Sequence, residues 1–324
     1  MKGVITNENG ELMLTNVAEV KINSHEVLID VHAAAVNRLD ILQRKNLSGY
    51  VENPVLGVEV AGVIEDPNGH PDIKKGDRVM GLVNGGAYAE KVAMPVDRIM
   101  KIPANMPFEQ AAAIPEVFLT AYQTLYWIGK LQPQEKVLIH AGGSGVGTAA
   151  IQLARQLSGA EIFVTAGSDE KLSVCKDLGA DHVINYKTTN FDEEVRRITN
   201  NTGVDVILDF IGASYWEKNY ESIGVDGRWV LIGVLGGLMV ENMNIMKLMQ
   251  KRIQLTGTML TQRSDEYKSQ LSQEFSERTI QLFEAGKIKP VVDSVFSLEN
   301  ADASHQHMEA NKNTGKIILH VRKV

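Results

Sequence analysis

The chain of 324 residues contains one cysteine, Cys175. A lone thiol excludes an intrachain disulfide and fits a reducing compartment. No apolar run approaches the roughly 20 residues that cross a bilayer, and the N-terminus shows neither the charged nor the hydrophobic region of a secretory leader. Basic clusters are missing too, and the formal net charge of −7 leaves no electrostatic footprint for nucleic acid. These absences predict a cytoplasmic protein with no membrane or nucleic-acid partner. Repeats and low-complexity tracts are also lacking. What is present, 44% hydrophobic content over this length, suffices for two substantial cores.

The strongest positive signal is Val137-Leu138-Ile139-His140-Ala141-Gly142-Gly143-Ser144-Gly145-Val146-Gly147. A short apolar strand runs into a glycine cluster, and Val146, Ala149, Ala150, Leu153, Ala154 and Leu157 then recur at helical spacing. This is the pattern of a first βα turn in a dinucleotide-binding fold, where N–H groups at a helix start receive a pyrophosphate. The usual G-x-G-x-x-G does not fit, because the cluster reads G-G-S-G-V-G with Thr148 after it. The chain beyond the cluster supports a dinucleotide fold nonetheless. Runs at 161–165, 182–185, 205–209, 228–233 and 253–257 alternate with helical patterns such as Leu172/Cys175/Leu178 and Phe191/Val195/Ile198. The strand-like runs are nearly continuously apolar, as in a parallel sheet covered on both faces. Six strands make a complete Rossmann unit, and Cys175 falls on the buried face of a helix.

The end of the second strand speaks to the nucleotide. Enzymes that use NAD place an Asp or Glu there to accept from the ribose hydroxyls. Here the strand ends Val164-Thr165-Ala166-Gly167-Ser168, with Lys171 one turn on and Tyr186 after the third strand. Small residues, two hydroxyls and an ammonium suit a 2′-phosphate, which a carboxylate would repel. The sequence therefore predicts NADPH. Asp169 and Glu170 read as solvent-facing acids favoured at a helix start.

The flanking chain is different in kind. Before about residue 117 it has short strands, a hairpin cue at Asn9-Gly10 and turn clusters at Gly76-Asp77 and Asn84-Gly85-Gly86. After about 259 come a helix carrying Phe275, Leu282 and Phe283 and further β-like runs, a segment too short to stand alone. The expected organisation is a β-rich domain of residues 1–117 with 259–324, around a nucleotide-binding domain of residues 118–258.

Several stretches resemble a known family. Ala35-Val36-Asn37-Arg38-Leu39-Asp40, Leu56-Gly57-Val58-Glu59-Val60-Ala61-Gly62 and Gly76-Asp77-Arg78-Val79 are similar to medium-chain dehydrogenase/reductase sequence. Ala111-Ala112-Ala113-Ile114-Pro115, Thr120-Ala121-Tyr122 and the glycine turn resemble its zinc-free quinone oxidoreductase branch, to which zeta-crystallin belongs. Ser214-Tyr215-Trp216-Glu217-Lys218-Asn219, Asp226-Gly227-Arg228-Trp229-Val230-Leu231 and Met308-Glu309-Ala310-Asn311-Lys312-Asn313 are similar to the tumour-suppressor-inducible NADPH:quinone oxidoreductase group. The resemblance implies a GroES-like substrate domain, a Rossmann domain and a cleft where they meet. It carries Asn37, Asp40 and, through a shorter loop, Tyr50 to the substrate side, and Thr120 to the nicotinamide. For the cofactor it implies contacts from Asn37, Ser144, Gly145, Val146, Gly147, Gly167, Ser168, Lys171, Tyr186, Gly233, Val234 and Leu260.

Zinc-dependent members of the superfamily carry Cys at the position of Asn37 and His at that of Val58. Catalytic zinc needs three side-chain donors, so the resemblance implies a zinc-free enzyme. His305 and His307, in a polar segment, read as solvated rings. Without a Lewis acid, the expected chemistry is delivery of hydride or single electrons to an acceptor that is already conjugated. Quinones fit, and alkenals or enones are the alternative substrate class. Because relatives include lens structural and RNA-binding proteins, a nucleotide-binding protein with little turnover is the alternative of another kind. Finally, Ile253, Leu255 and the apolar run 230–235 would lie at the far edge of the sheet without a proline or lysine guard. An unguarded apolar edge must be covered or paired, which predicts a homodimer through that strand.

Overall fold

Six short apolar runs between Lys136 and Gly257 pair side by side as one parallel sheet. They are β1 (Lys136–Ile139), β2 (Glu161–Ala166), β3 (His182–Asn185), β4 (Val204–Asp209), β5 (Ile223–Leu231) and β6 (Gln254–Gly257). Their order across the sheet is β3-β2-β1-β4-β5-β6. The reversal after β1 is the switch point at which such sheets bind a dinucleotide. In the computed structural model, which describes residues 1–45, 53–241 and 243–322, this sheet belongs to a unit spanning Thr120–Leu260.

Helices α1 (Gly145–Leu153), α2 (Asp169–Asp177), α3 (Phe191–Ile198), α4 (Trp216–Ser222) and α5 (Ile245–Gln250) connect the strands. The sequence explains their starts. Ser144 caps α1 by accepting from Gly147 N, and Ser168 caps α2 by accepting from Lys171 N. Three acids open α3 and two arginines close it, matching the helix dipole. Leu138, Phe163, Ile207 and Trp229 are buried between the layers and form the core of the sheet with Phe191 and Val195. By contrast β6 is exposed along its whole length.

The second unit joins Met1–Leu119 to Thr261–Val324. Its central strand, Glu26–Val36, pairs antiparallel with Glu59–Asp66, with Lys91–Pro95 and with Lys316–His320. The two ends of the chain thus share one sheet. Val27, Ile29 and Val31 point to the core, and Ala33 through Val36 are wholly buried. The alanines let the helix Phe108–Ala112 lie close across this strand.

Candidate active site

Around the switch point, backbone hydrogen bonds lace the strand ends together. Gly142 N donates to Thr165 O at 3.0 Å, and Tyr186 N donates to Ala166 O at 3.2 Å. The glycine turn, the end of β2 and the residue after β3 therefore converge. Within the turn, Ala141 adopts a left-handed φ of 49°. Gly147 passes so close to Ala141 O that a Cβ would stand 2.5 Å from it, so a side chain there would break the turn. The stem of Lys171 lies over Gly143, its Cδ 3.0 Å from where a Cβ would be.

At Gly167 the close neighbours are side-chain ends rather than backbone. A Cβ there would meet the Tyr186 hydroxyl at 2.6 Å and Lys187 Cε at 3.2 Å. The structure thus brings together Ser144, Gly145, Val146, Gly147, Gly167, Ser168, Lys171 and Tyr186. Gly233 follows β5 and donates its N–H to Asp209 O at 3.2 Å; Val234 beside it is exposed. Thr120 is buried, and its carbonyl accepts from Thr124 Oγ1 at 2.7 Å; Leu260 is buried as well.

Beneath the strand ends lies a closed polar chain. His140 Nδ1 accepts from Thr165 Oγ1 at 2.8 Å, and Nε2 donates to Asn219 Oδ1 at 2.6 Å. Asn219 Nδ2 and Trp229 Nε1 both donate to Asp209 Oδ2 at 3.0 Å. Asp209 Oδ1 takes the N–H groups of Ile211 and Gly212. Since Asn219 gives its N–H to Asp209, its oxygen must accept from histidine, which fixes the tautomer. Burial holds the His140 ring below its usual pKa, and it is neutral.

In the other unit, Asn37 and Asp40 sit at the start of the helix Arg38–Arg44. Asp40 Oδ2 accepts from Asn37 N at 2.8 Å and from the Tyr88 hydroxyl at 2.8 Å, and His305 Nε2 stands 3.3 Å from that hydroxyl. Asp40 Oδ1 and His305 Nδ1 are buried without partners among the described residues. Burial pushes Asp40 up to about 7 and His305 down to about 3. The expectation that His305 is solvated is corrected: the ring is wholly buried, because Ala301, Ser304, His305 and Met308 form the inner face of their helix. His307 is also bound, to Asp293 at 2.9 Å. Tyr50 lies outside the described residues.

Asn37 is largely committed. Its Nδ2 donates to Glu59 Oε1 at 2.7 Å, and its Oδ1 accepts from Lys316 Nζ at 2.7 Å. Lys316 Nζ also reaches Glu59 Oε1 at 2.7 Å and Val36 O at 2.9 Å, so a buried ammonium is held by three oxygens. Glu59 Oε2 accepts from Glu116 N at 2.8 Å. Burial and the nearby Glu59 carboxylate push Glu116 up to about 8. The sequence reading missed Glu59, Tyr88, Glu116, His305, Lys316 and Lys187. For Glu59 there was a signal, a carboxylate inside the apolar run 56–61, since a charge in a buried strand must be paired. Among the described residues no group of three or more His, Cys, Asp or Glu side chains is arranged to hold a metal ion.

Comparison with known proteins identifies the family. Residues 145–285 match the family described as zinc-binding dehydrogenase, and residues 23–104 match the alcohol dehydrogenase GroES-like domain. The synaptic vesicle membrane protein VAT-1 homolog of Homo sapiens is 33% identical over 312 residues, covering 91% of this chain and 78% of that protein. A solved NAD-dependent alcohol dehydrogenase superposes with a TM-score of 0.88 at 31% identity, over 99% of this chain and 100% of that one. The quinone oxidoreductase of Escherichia coli complexed with NADPH also superposes with a TM-score of 0.88, at 28% identity and with the same coverage. The chain is an oxidoreductase belonging to the medium-chain dehydrogenase/reductase superfamily, with quinone oxidoreductases among its relatives.

Proposed function

We propose that this protein is an NADPH-dependent, zinc-independent reductase of quinones. The observation that carries the reading is the end of β2, where the Tyr186 hydroxyl occupies the space that a side chain at Gly167 would need. A carboxylate at that point, which would select NADH through the ribose hydroxyls, would have to displace the Tyr186 hydroxyl and the Lys187 stem. The hydroxyls of Ser168 and Tyr186 and the Lys171 ammonium suit a 2′-phosphate instead. In this reading the N–H groups at the start of α1, from Ser144 to Gly147, take the pyrophosphate. Thr120, Gly233, Val234, Leu260 and Asn37 contribute the remaining cofactor contacts.

When bound, the cofactor supplies a hydride, or its electrons singly, to a conjugated carbonyl. The residues of this chain hold, orient and desolvate the reactants. Asn37 and Asp40 are tied into the network of Tyr88, Glu59 and Lys316, so they act mainly by fixing the floor of the site. Burial keeps Glu116 protonated at neutral pH, and water supplies the proton that the acceptor takes up. Zinc-independence rests on the donor set. Val58 offers no ligand, and the oxygens of Asn37 and Glu59 already surround the Lys316 ammonium.

The test is oxidation of NADPH and NADH against ortho-quinones, para-quinones and enones, with and without a chelator. Quinone turnover with NADPH, unaffected by chelation, is expected. Turnover of enones or alkenals alone would replace the substrate class, and no turnover at all would favour a nucleotide-binding protein of another role. The same reading includes a cytoplasmic homodimer. Leu235, Leu238, Met239, Ile245, Met249 and Leu255 are exposed in and around the β5–β6 edge, an area a second copy would cover by pairing β6 antiparallel. Sedimentation showing only a 35.6 kDa species would rule the dimer out.

A further inference from the structure

Lys187 is absent from the cofactor contacts proposed for the glycine turn, yet its stem lies against the end of β2. Lys187 Cε stands 3.2 Å from the position of a Cβ on Gly167, beside the Tyr186 hydroxyl at 2.6 Å from the same point. The residue is fixed through its backbone, whose N–H donates to Asn185 Oδ1 at 3.1 Å. Asn185 Nδ2 in turn donates to Asp169 Oδ1 at 3.0 Å, which ties the β3 turn to the start of α2. Two carboxylates stand there, Asp169 and Glu170, and the Glu170 carboxyl is held below its usual range by its own backbone N–H and the Ser168 hydroxyl. Both carboxylates oppose a bound phosphate, and the single ammonium of Lys171, drawn across Gly143, does not offset them.

We propose that Lys187 is a specificity-determining residue, the second cation of the 2′-phosphate site, acting with Tyr186 at the end of β2. The inference rests on the proposed use of NADPH. Lys171 serves the side of the site nearer the glycine turn, and Lys187 serves the phosphate on the ribose. With two ammonium groups against two carboxylates, the pocket is no longer repulsive to a phosphate dianion.

Lys187→Met keeps the stem and removes the charge, and the residue is exposed, so the variant folds. Binding of NADPH, NADH, adenosine 2′,5′-bisphosphate and 5′-AMP is measured by titration calorimetry at two salt concentrations. NADPH and the bisphosphate should each bind about tenfold more weakly, the lower end for a charge-assisted contact, and with a shallower salt dependence. NADH and 5′-AMP should change by less than about twofold, and Lys187→Arg should retain NADPH binding. Wild-type preference for NADPH that survives in Lys187→Met overturns the assignment of Lys187 alone. Equal binding of NADPH and NADH by the wild type overturns the cofactor reading, and this assignment with it.

Discussion

Each unit buries a histidine and an aspartate linked through a third side chain, and the two networks differ in whether they are closed. In the nucleotide-binding unit, His140, Asn219, Asp209 and Trp229 satisfy one another completely, with Thr165 and two backbone N–H groups at the ends. In the β-rich unit, Asp40, Tyr88 and His305 leave a carboxylate oxygen and a ring nitrogen without partners among the described residues. A closed network specifies a structure, and its ionisable members have no further capacity to bind. An open one carries desolvation that nothing offsets. The contrast teaches that burial of a polar group is not by itself a sign of function. The unspent atoms are more informative than the buried ones.

Breaking the closed network should have the largest effect. Asp209→Ala would orphan four donors, those of Trp229, Asn219, Ile211 and Gly212, at a cost of about 3–5 kcal/mol. Urea denaturation measures it; a loss under about 1 kcal/mol would mean that water substitutes readily and the network is less closed than its geometry shows.

The open network should reveal itself through pH rather than through a large loss. Asp40 stands at about 7 in the folded chain, above roughly 3.9 when unfolded. The folded state therefore binds the extra proton, and this stabilisation is full below about pH 4 and lost as pH rises through about 7. Glu116, at about 8, has the same sign. His305, at about 3, has the opposite one: stability falls as pH drops from about 6.5 toward 3. Asp40→Asn should thus gain stability relative to the wild type between pH 4 and 7. A flat difference across that window would show that Asp40 ionises normally.

Tyr88→Phe is the smallest perturbation. Asp40 Oδ2 keeps the Asn37 N–H, so the expected loss is about 1 kcal/mol. Because the Tyr88 hydrogen bond holds the Asp40 carboxyl lower than burial alone would, its removal should also move the alkaline fall in stability to higher pH. Thermal unfolding at several pH values would show the shift, and an unmoved profile would uncouple the two residues.

Much of the fold was legible because its signals are local. The glycine turn, the continuous apolar runs of β1, β2 and β4 and the caps Ser144 and Ser168 each lie within a few consecutive residues. The site was legible only where it is made of such segments. Glu59 and Lys316 are 257 positions apart, and no spacing rule connects them; only the pairing of Lys316–His320 with Glu26–Val36 does so. His305 was misread because a histidine on a polar helix looks solvated until its inner face is known. Lys187 was overlooked because its claim depends on the missing side chain of Gly167, which becomes visible only when the neighbouring atoms are placed.

The ammonium of Lys316 has a consequence for engineering. Held by Asn37 Oδ1, Glu59 Oε1 and Val36 O, it is a cation already seated among oxygens. Replacing Asn37 by Cys, a step toward a metal ligand, would remove one of these oxygens and set a thiol beside the resident charge. A metal site built at this point would therefore have to be designed together with Lys316, whose charge opposes a divalent ion.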